Sequence, residues 1–329
     1  MADKLTLLPK TIRLDTPFSL DLILIPAGEF LMGSDKTIDE EASDDELPQH
    51  KVQLPDYYIA KYPVTEAQWT VFTKAVMSEE RWAVYAKERV FEKGEGTRPQ
   101  KFMNWYDATE FCDWMNDQDL IGLRKLSGFV VRLPTEVEWE KAGRGTDGRI
   151  YPWGNEFDMN KCNTRGKTVF DTMNKSNPHD TTPVGKYSPQ GDSPYGIADM
   201  CGNVCELTNS KMEIYPYTND EHREHKGYPF VVRGGTWDEP ASYARCAYRR
   251  TYTDFYDHGN GSCGFRVVVG LPDAKYKSDK TAPRHYSRWM KKYPSLGKDE
   301  RGNSLCPECS LPFKSDFDAY THIEKWHSK

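Results

Sequence analysis

The sequence predicts a loop-rich fold of mixed strands and helices, arranged as one large domain followed by a small one. A chain of 329 residues can bury one sizeable core and a small appendage. Aromatic residues make up 13% of the chain, which also has 24 glycines and 21 prolines, a composition typical of ordered loops rather than of a helical bundle. The net charge is −6, yet residues 271–329 carry more basic than acidic side chains. The tail is therefore expected to be a separate unit from the body.

Hydropathy argues against contact with a membrane. The longest apolar runs are far shorter than the roughly 20 residues of a membrane-spanning helix, and the first residues lack the apolar stretch of a secretory signal. We therefore expect a cytoplasmic protein with no membrane partner. The eight cysteines are scattered along the chain, so mostly reduced thiols are expected.

The first elements of the body are a strand and two helices. A strand and turn are predicted over residues 22–33, where a proline and a glycine interrupt an apolar run. Thr65 and Gln68 have the spacing of a capping box, in which each side chain satisfies the other residue's backbone N–H, so a helix is expected to begin there. A second helix is predicted from about Asn104, because the apolar residues that follow recur on one helical face.

A third helix, a long irregular segment and late strands complete the body. Thr135 and Glu138 repeat the capping box, and Gly143 is expected to end this helix in a left-handed conformation. Residues 145–230 show no sustained helical or strand periodicity of apolar residues. We therefore expect bound ions, buried aromatics or side-chain hydrogen bonds to fix the conformation of this segment. The acidic side chains between residues 35 and 46 are expected to form a solvated loop. Strands are predicted at residues 230–233 and 264–269.

Seven short motifs follow one another in the body. They are IPAGEFLMG at 25–33, YPVT at 62–65, RLPTEVEWE at 132–140, YPWG at 151–154, DMCGNVCE at 199–206, RGGTW at 233–237 and GFR at 264–266. This ordered set resembles the formylglycine-generating enzyme (sulfatase-modifying factor) domain family. The resemblance implies an α+β, C-type-lectin-like fold for residues 21–270, with small sheets, few helices and much ordered loop.

The family includes both oxidases and non-catalytic binding modules, so the resemblance leaves the activity open. The oxidases hold copper(I) between two thiolates, a ligand set that suits a soft ion. Alignment on residues 243–247 puts the second of these cysteines at Cys246 and the first at Ala241. A single thiol cannot complete such a site, so we favour a protein without catalytic activity. The alternative is a divergent copper-dependent oxidase that uses Cys246 with a displaced thiol.

The motif at 199–206 also suggests a structural calcium site. Two carboxylates separated by a glycine-containing turn can converge with backbone carbonyls into the oxygen shell that calcium prefers. By resemblance, Asp199 and Glu206 would contribute side chains, Gly202 and Val204 would contribute carbonyls, and a second site would begin at Asn163. Carboxylates that instead cap backbone amides are the alternative.

The region between the last two motifs combines aromatic residues with arginines, the composition of interface anchors. We expect it to form a face for a ligand or a protein partner. Arginines that only solvate an aromatic fold are an equally weighted alternative. The expected face consists of Trp237, Tyr243, Arg245, Tyr248, Arg249, Tyr252 and Tyr256.

The tail has the spacing of a two-Cys, two-His zinc finger. Twelve residues separate Cys306-x-x-Cys309 from His322, and four further residues separate His322 from His327. Thiolates from a hairpin and imidazoles from one helix would give zinc a closed tetrahedral site. Residues at the expected base-reading positions lack arginine, asparagine and glutamine, so protein docking is favoured over nucleic-acid binding.

These features divide the chain into four parts and define its expected function. The parts are an N-terminal extension (1–20), the sulfatase-modifying-factor-like domain (21–270), a basic linker (271–304) and a ββα zinc finger (305–329). We expect a binding or adaptor protein that uses a cleft and the finger to engage a protein partner, with zinc and calcium as structural ions. A nucleic-acid-associated factor acting through the basic tail is a further alternative.

Overall fold

The computed structural model describes residues 8–79, 82–83, 95–118, 120, 123, 126, 128–167, 180–216, 230–252, 262–272, 304–305 and 312–313. The chain divides into two compact units, Met1–Asp273 and Ala274–Lys329. Of the residues predicted to be functional, five lie outside the described ranges: Tyr256, Cys306, Cys309, His322 and His327.

The first unit contains short strands and three described α-helices. The strands are β1 (Thr11–Leu14), β2 (Leu20–Ile25), β3 (Gly28–Met32), β4 (His50–Leu54), β5 (Tyr57–Ala60), β6 (Val130–Arg132), β7 (Cys205–Lys211), β8 (Phe230–Arg233), β9 (Arg249–Thr251), β10 (Cys263–Gly264) and β11 (Val268–Gly270). The helices are α1 (Glu66–Val76), α2 (Trp105–Asn116) and α3 (Glu136–Arg144).

The largest sheet has five strands in the order β1-β2-β5-β11-β6. β11, the last strand of this unit, lies between β5 and β6, and Val268 is in register with Ile59 on one side and with Arg132 on the other. Trp139 of α3 and Met200 of the following loop pack in the hydrophobic core beside this sheet. β1 pairs with β2 along its whole length, so residues of the expected N-terminal extension already belong to the sheet.

The helix starts agree with their predicted capping signals. The Thr65–Gln68 and Thr135–Glu138 capping boxes both form, and the Asn104 side chain accepts a hydrogen bond from the Asp107 backbone N–H. The predicted end of α3 at Gly143 is wrong. The helix continues to Arg144, and Gly145, with φ 77°, takes the left-handed position. Gly143 instead packs tightly inside the helix, where an added Cβ would lie 3.2 Å from the methyl group of Met200.

A second sheet has four strands in the order β10-β7-β8-β9 and carries most of the motif residues. The β8 prediction at 230–233 is confirmed, while the predicted strand at 264–269 divides into β10 and β11. β7 is antiparallel to β8 but parallel to β10. β3 and β4 form a separate two-stranded sheet.

The second unit contributes one described hairpin. Its strands are β12 (Ser304–Leu305) and β13 (Pro312–Phe313), which pair antiparallel on either side of residues 306–311. None of the helices in the described ranges combines the length and the apolar character that a bilayer span requires.

Candidate functional site

The thiol of Cys246 lies in the interior of the first unit. Its residue is fully buried, and burial raises the pKa of the thiol to about 12. The Sγ atom is 3.7 Å from the point that a Cβ on Gly143 would occupy. Ala241, also fully buried, offers no metal ligand from the short 3-10 helix Ala241–Ala244. The two-thiolate copper site that the resemblance implies therefore does not fit these two positions.

Buried arginines and carboxylates surround this thiol. Arg233 contacts the Glu140 carboxylate and donates to the Cys246 carbonyl over 2.7 Å. Arg144 donates to the other Glu140 oxygen over 2.6 Å, and the Gly33 backbone N–H donates to that same oxygen. Glu140 of α3 thus joins β8 to the segment after β3, and Arg233 connects this carboxylate to the backbone of Cys246.

Two arginines of the expected partner face are also internal. Arg245 donates to Asp39 over 2.6 Å and forms a bidentate pair with Glu46 at 2.7 and 2.8 Å. Arg249 forms a bidentate pair with Glu136 at 2.6 and 2.8 Å. Both arginines are only 2% exposed, so their guanidinium groups hold the fold together from inside and do not present an open surface.

The acidic segment between residues 35 and 46 differs from the solvated loop that was expected. Asp39 and Glu46 are buried at 6% and 0% exposure, because they neutralise Arg245. Glu46 also takes part in the capping box of the short 3-10 helix Asp44–Glu46, with Ser43 as the N-cap. Charge density alone did not distinguish these two carboxylates from their exposed neighbours.

The predicted calcium ligands lie close to a further buried ion pair. Glu206 receives two hydrogen bonds of 2.6 Å from Arg266 and one of 2.9 Å from the Trp139 indole. Asp199 accepts a 2.6 Å hydrogen bond from the Gly185 backbone N–H, and burial raises the pKa of its carboxyl to about 6. Both oxygens of Glu206 are thus already engaged.

The loop that follows Asp199 meets the segment at Asn163 at very short range. Asn203 donates its backbone N–H to the Asn163 carbonyl over 2.8 Å, and Gly202 forms a parallel bridge with Asn163. Val204 is buried beside them. Within the described ranges, no group of three or more His, Cys, Asp or Glu side chains has the arrangement of a metal site. The calcium ligand set stays a prediction.

The aromatic members of the expected face lie nearer the surface than its arginines. Tyr243 is 38% exposed and its ring stacks on that of Tyr248, with centroids 4.7 Å apart and an interplanar angle of 6°. Trp237 and Tyr252 are half-buried. The structure therefore brings the two tyrosines together at the surface, directly above the Arg245 guanidinium, which lies 5.9 Å from the Tyr248 ring.

Fold and site together define a loop-rich α+β domain in which arginine–carboxylate pairs take the place of long strands and helices. Residues 15–271 match the family described as the Sulfatase-modifying factor enzyme 1-like domain. The chain belongs to this family, as its ordered motifs predicted.

Similar proteins differ in activity. "Inactive C-alpha-formylglycine-generating enzyme 2" of Bos taurus is 28% identical over 284 residues, which cover 77% of this chain and 89% of that protein. "Formylglycine-generating enzyme" of Streptomyces coelicolor is 28% identical over 296 residues, covering 75% and 88%. "Serine/threonine-protein kinase pkn1" of Chlamydia pneumoniae is 30% identical over 275 residues, covering 78% of this chain but only 39% of that relative.

A solved structure supports the fold. The structure of PvdO from Pseudomonas aeruginosa superposes with a TM-score of 0.58 at 21% sequence identity, covering 80% of this chain and 99% of that one. Together with the mixed strands and helices, this confirms the predicted α+β class.

Proposed function

We propose that this protein is a non-catalytic binding protein of its family, which acts as an adaptor for a protein partner. The observation that carries the proposal is the environment of Cys246. Its thiol is fully buried, its pKa is raised to about 12, and position 241 holds an alanine. At neutral pH such a group stays protonated, and only the thiolate is a good nucleophile or metal ligand.

The stacked pair of Tyr243 and Tyr248 is the proposed centre of the partner face. The two parallel, stacked rings at the surface provide apolar area with two hydroxyl groups, and buried pairs beneath them hold the backbone in place. Aromatic anchors on a rigid support commonly dominate the free energy of an interface.

The tail is the proposed second point of attachment. Cys306 and Cys309 are flanked by the pairing of β12 with β13, which suits the hairpin of a two-Cys, two-His finger. In this proposal zinc holds the finger, and the finger docks on protein rather than on nucleic acid.

An activity assay tests the non-catalytic part of the proposal. Purified full-length protein is incubated with copper(I), oxygen and a cysteine-containing peptide, with a formylglycine-generating enzyme as a positive control. We expect no aldehyde product above the level without protein. Product formation that Cys246→Ser abolishes would overturn the proposal in favour of the oxidase.

A binding assay tests the adaptor part. Partners cross-linked to the wild-type chain in source cells are identified by mass spectrometry, and the recovered partner is then titrated against purified variants. The double substitution Tyr243→Ala and Tyr248→Ala should weaken binding at least tenfold, whereas Tyr106→Ala, at a 53% exposed tyrosine on α2, should not. If binding survives the double substitution and is lost with Cys306→Ser, the tail alone recruits the partner and the tyrosine face does not.

A further inference from the structure

Two lysines of the first unit hold their ammonium groups over tyrosine rings. Nζ of Lys61 lies 5.2 Å from the centre of the Tyr62 ring, and Nζ of Lys186 lies 5.5 Å from the centre of the Tyr187 ring. The two pairs meet at Gly185, where an added Cβ would lie 2.7 Å from the Tyr62 ring. Because Gly185 directly precedes Lys186 in the chain, both positive charges belong to one patch.

A third lysine extends this patch. Nζ of Lys161 lies 5.9 Å from the centre of the Trp153 ring. An added Cβ at Gly191 would lie 2.1 Å from the Lys161 carbonyl oxygen and 3.1 Å from Cβ of Tyr187, so the third lysine is next to the second pair. The Asp158 carboxylate is 3.6 Å from Nζ of Lys161 and offsets part of its charge. We call the three residues Lys61, Lys186 and Lys161 the lysine strip.

The charge of the lysine strip is not balanced by its surroundings. In the part of the chain that the structure describes, the ammonium groups of Lys61 and Lys186 have no carboxylate partner within ion-pair distance. The nearby Asp199 carboxylate accepts from the Gly185 backbone N–H instead. Residues 1–270 as a whole carry more acidic than basic side chains. A positive strip on an otherwise acidic body attracts an anionic partner to one place.

The rings beneath the lysines decide which class of anion suits the strip. A cation over an aromatic face is attracted by the ring, so the ammonium groups are positioned before a partner binds and less conformational entropy is lost. The same contact covers a ring face that a nucleobase would need for stacking. A nucleic acid longer than the strip would also extend over the acidic surroundings, whereas a short peptide need not. The contacts therefore favour carboxylates of a protein segment over nucleic acid.

We propose that the lysine strip binds a short acidic segment, rich in aspartate and glutamate, of a protein partner. The carboxylates pair with ammonium groups that the rings hold in place, and no covalent step is involved. The strip uses neither Tyr243 nor Tyr248, so it is tested independently of the proposed tyrosine face. Since Lys186 is exposed and Lys61 and Lys161 are half-buried, we expect binding that depends strongly on salt.

The test measures binding of a fluorescein-labelled decaglutamate peptide to the full-length chain by fluorescence anisotropy. We expect binding at about 50 mM sodium chloride that weakens at least tenfold at about 500 mM. The double substitution Lys61→Ala and Lys186→Ala should weaken binding at least tenfold at the lower salt concentration. Tyr187→Leu keeps the apolar volume but loses the contact between cation and ring, so it should weaken binding about twofold to fivefold.

A matched double substitution controls for the loss of charge. Lys10→Ala and Lys74→Ala remove the same charge at two other exposed lysines, and Nζ of Lys74 likewise lies over a ring, 5.8 Å from the centre of that of Trp82. This variant should bind the peptide within twofold of the wild type.

Three results would overturn the proposal. A wild-type chain that does not bind the peptide at the lower salt concentration contradicts it directly. Binding that survives Lys61→Ala and Lys186→Ala but is lost with Lys291→Ala and Lys292→Ala would assign the peptide to the basic tail. A single-stranded thymidine decamer that binds more tightly than the peptide, and only to chains with an intact strip, would make the strip a nucleic-acid surface. Melting temperatures of all variants, with Lys61→Gln and Lys186→Gln as a second strip variant, separate loss of binding from loss of folding.

Discussion

Single arginine side chains connect distant parts of this molecule. Arg233, Arg245, Arg249 and Arg266 are each at most 2% exposed, and each is paired with at least one buried carboxylate. Taking a guanidinium out of water is costly unless its charge and its N–H groups are all satisfied. Removing one member of such a pair should therefore destabilise the fold, because the charge that remains is buried with fewer compensating partners.

The pair of Glu46 and Arg245 offers a direct measurement. Glu46→Gln leaves Arg245 with only Asp39 as a negative partner in the interior, so the free energy of unfolding should fall by about 1.5–3 kcal/mol, the loss expected for a charge-assisted hydrogen bond. Chemical denaturation measures this loss. The matched control is Glu29→Gln, which breaks the exposed ion pair with Lys51 and should barely change the denaturation midpoint. If both substitutions lower the free energy of unfolding equally, the buried pair contributes no more to stability than the exposed one.

Asp199 gives the protein a defined dependence on pH. Its folded-state pKa of about 6 lies above the ordinary value of 3.8, so its contribution to stability is fully present below pH 3.8 and is lost as the pH rises through about 6. Asp199→Asn stays neutral and can still accept from Gly185. As the pH rises from 4 to 7 in the absence of calcium, the free energy of unfolding of the variant should therefore increase by on the order of 1–3 kcal/mol relative to that of the wild type.

Calcium separates the two roles of Asp199 in the same experiment. If the carboxylate is a calcium ligand, millimolar calcium at pH 7 should raise the melting temperature of the wild type and leave Asp199→Asn unchanged. If the melting temperatures of the wild type and of Asp199→Asn change with pH in the same way, the raised pKa of Asp199 is contradicted.

At the scale of elements, the loop after Asp199 depends on one very close backbone approach. Gly202 has φ 76°, and a Cβ at this position would lie 2.1 Å from the Asn163 carbonyl oxygen. Gly196 has a similar φ of 82° but has nothing within 4 Å of a Cβ. The two glycines therefore separate the cost of backbone strain from the cost of a steric clash.

Alanine substitutions at these glycines should differ in their effects. Gly196→Ala should cost about 1–2 kcal/mol for the left-handed backbone alone. Gly202→Ala should cost clearly more, because the bridge to Asn163 has to open. Thermal melts of the two variants measure the difference, and a Gly202→Ala protein as stable as Gly196→Ala would contradict the close approach.

Prediction from sequence succeeded where the signal is local. The capping boxes at Thr65 and Thr135 and the start of α2 are contacts within one turn of chain, so their residues alone define them. The sequence does not reveal that Arg245 and Arg249 are internal, because their carboxylate partners are far away in sequence: Arg245 contacts Asp39, which is 206 positions away. The pattern of apolar residues along the sequence does not indicate such a long-range pairing. The end of α3 is also ambiguous in sequence, because Gly143 and Gly145 are both glycines and only the structure shows that Gly145 takes the left-handed position.

At the scale of the whole molecule, the chain divides into two compact units, the first of which has a large buried core. The finger proposed for residues 305–329 of the second unit is short enough for its folding to depend on a bound zinc ion. We expect the full chain to purify with one zinc ion. Elemental analysis should show that Cys306→Ser removes this zinc and that Cys112→Ser, at a buried thiol of the first unit, does not. Zinc that remains in Cys306→Ser would contradict the finger.

The position of β11 has a consequence for the order in which the protein can be made. Synthesis starts at the N-terminus, so β5 and β6 leave the ribosome long before residues 268–270, the strand that must lie between them. Until then both strands expose backbone edges that can pair with other chains. A nascent chain halted before residue 268 is thus an aggregation-prone species, and the large sheet can be completed only after nearly all of the first unit has been translated.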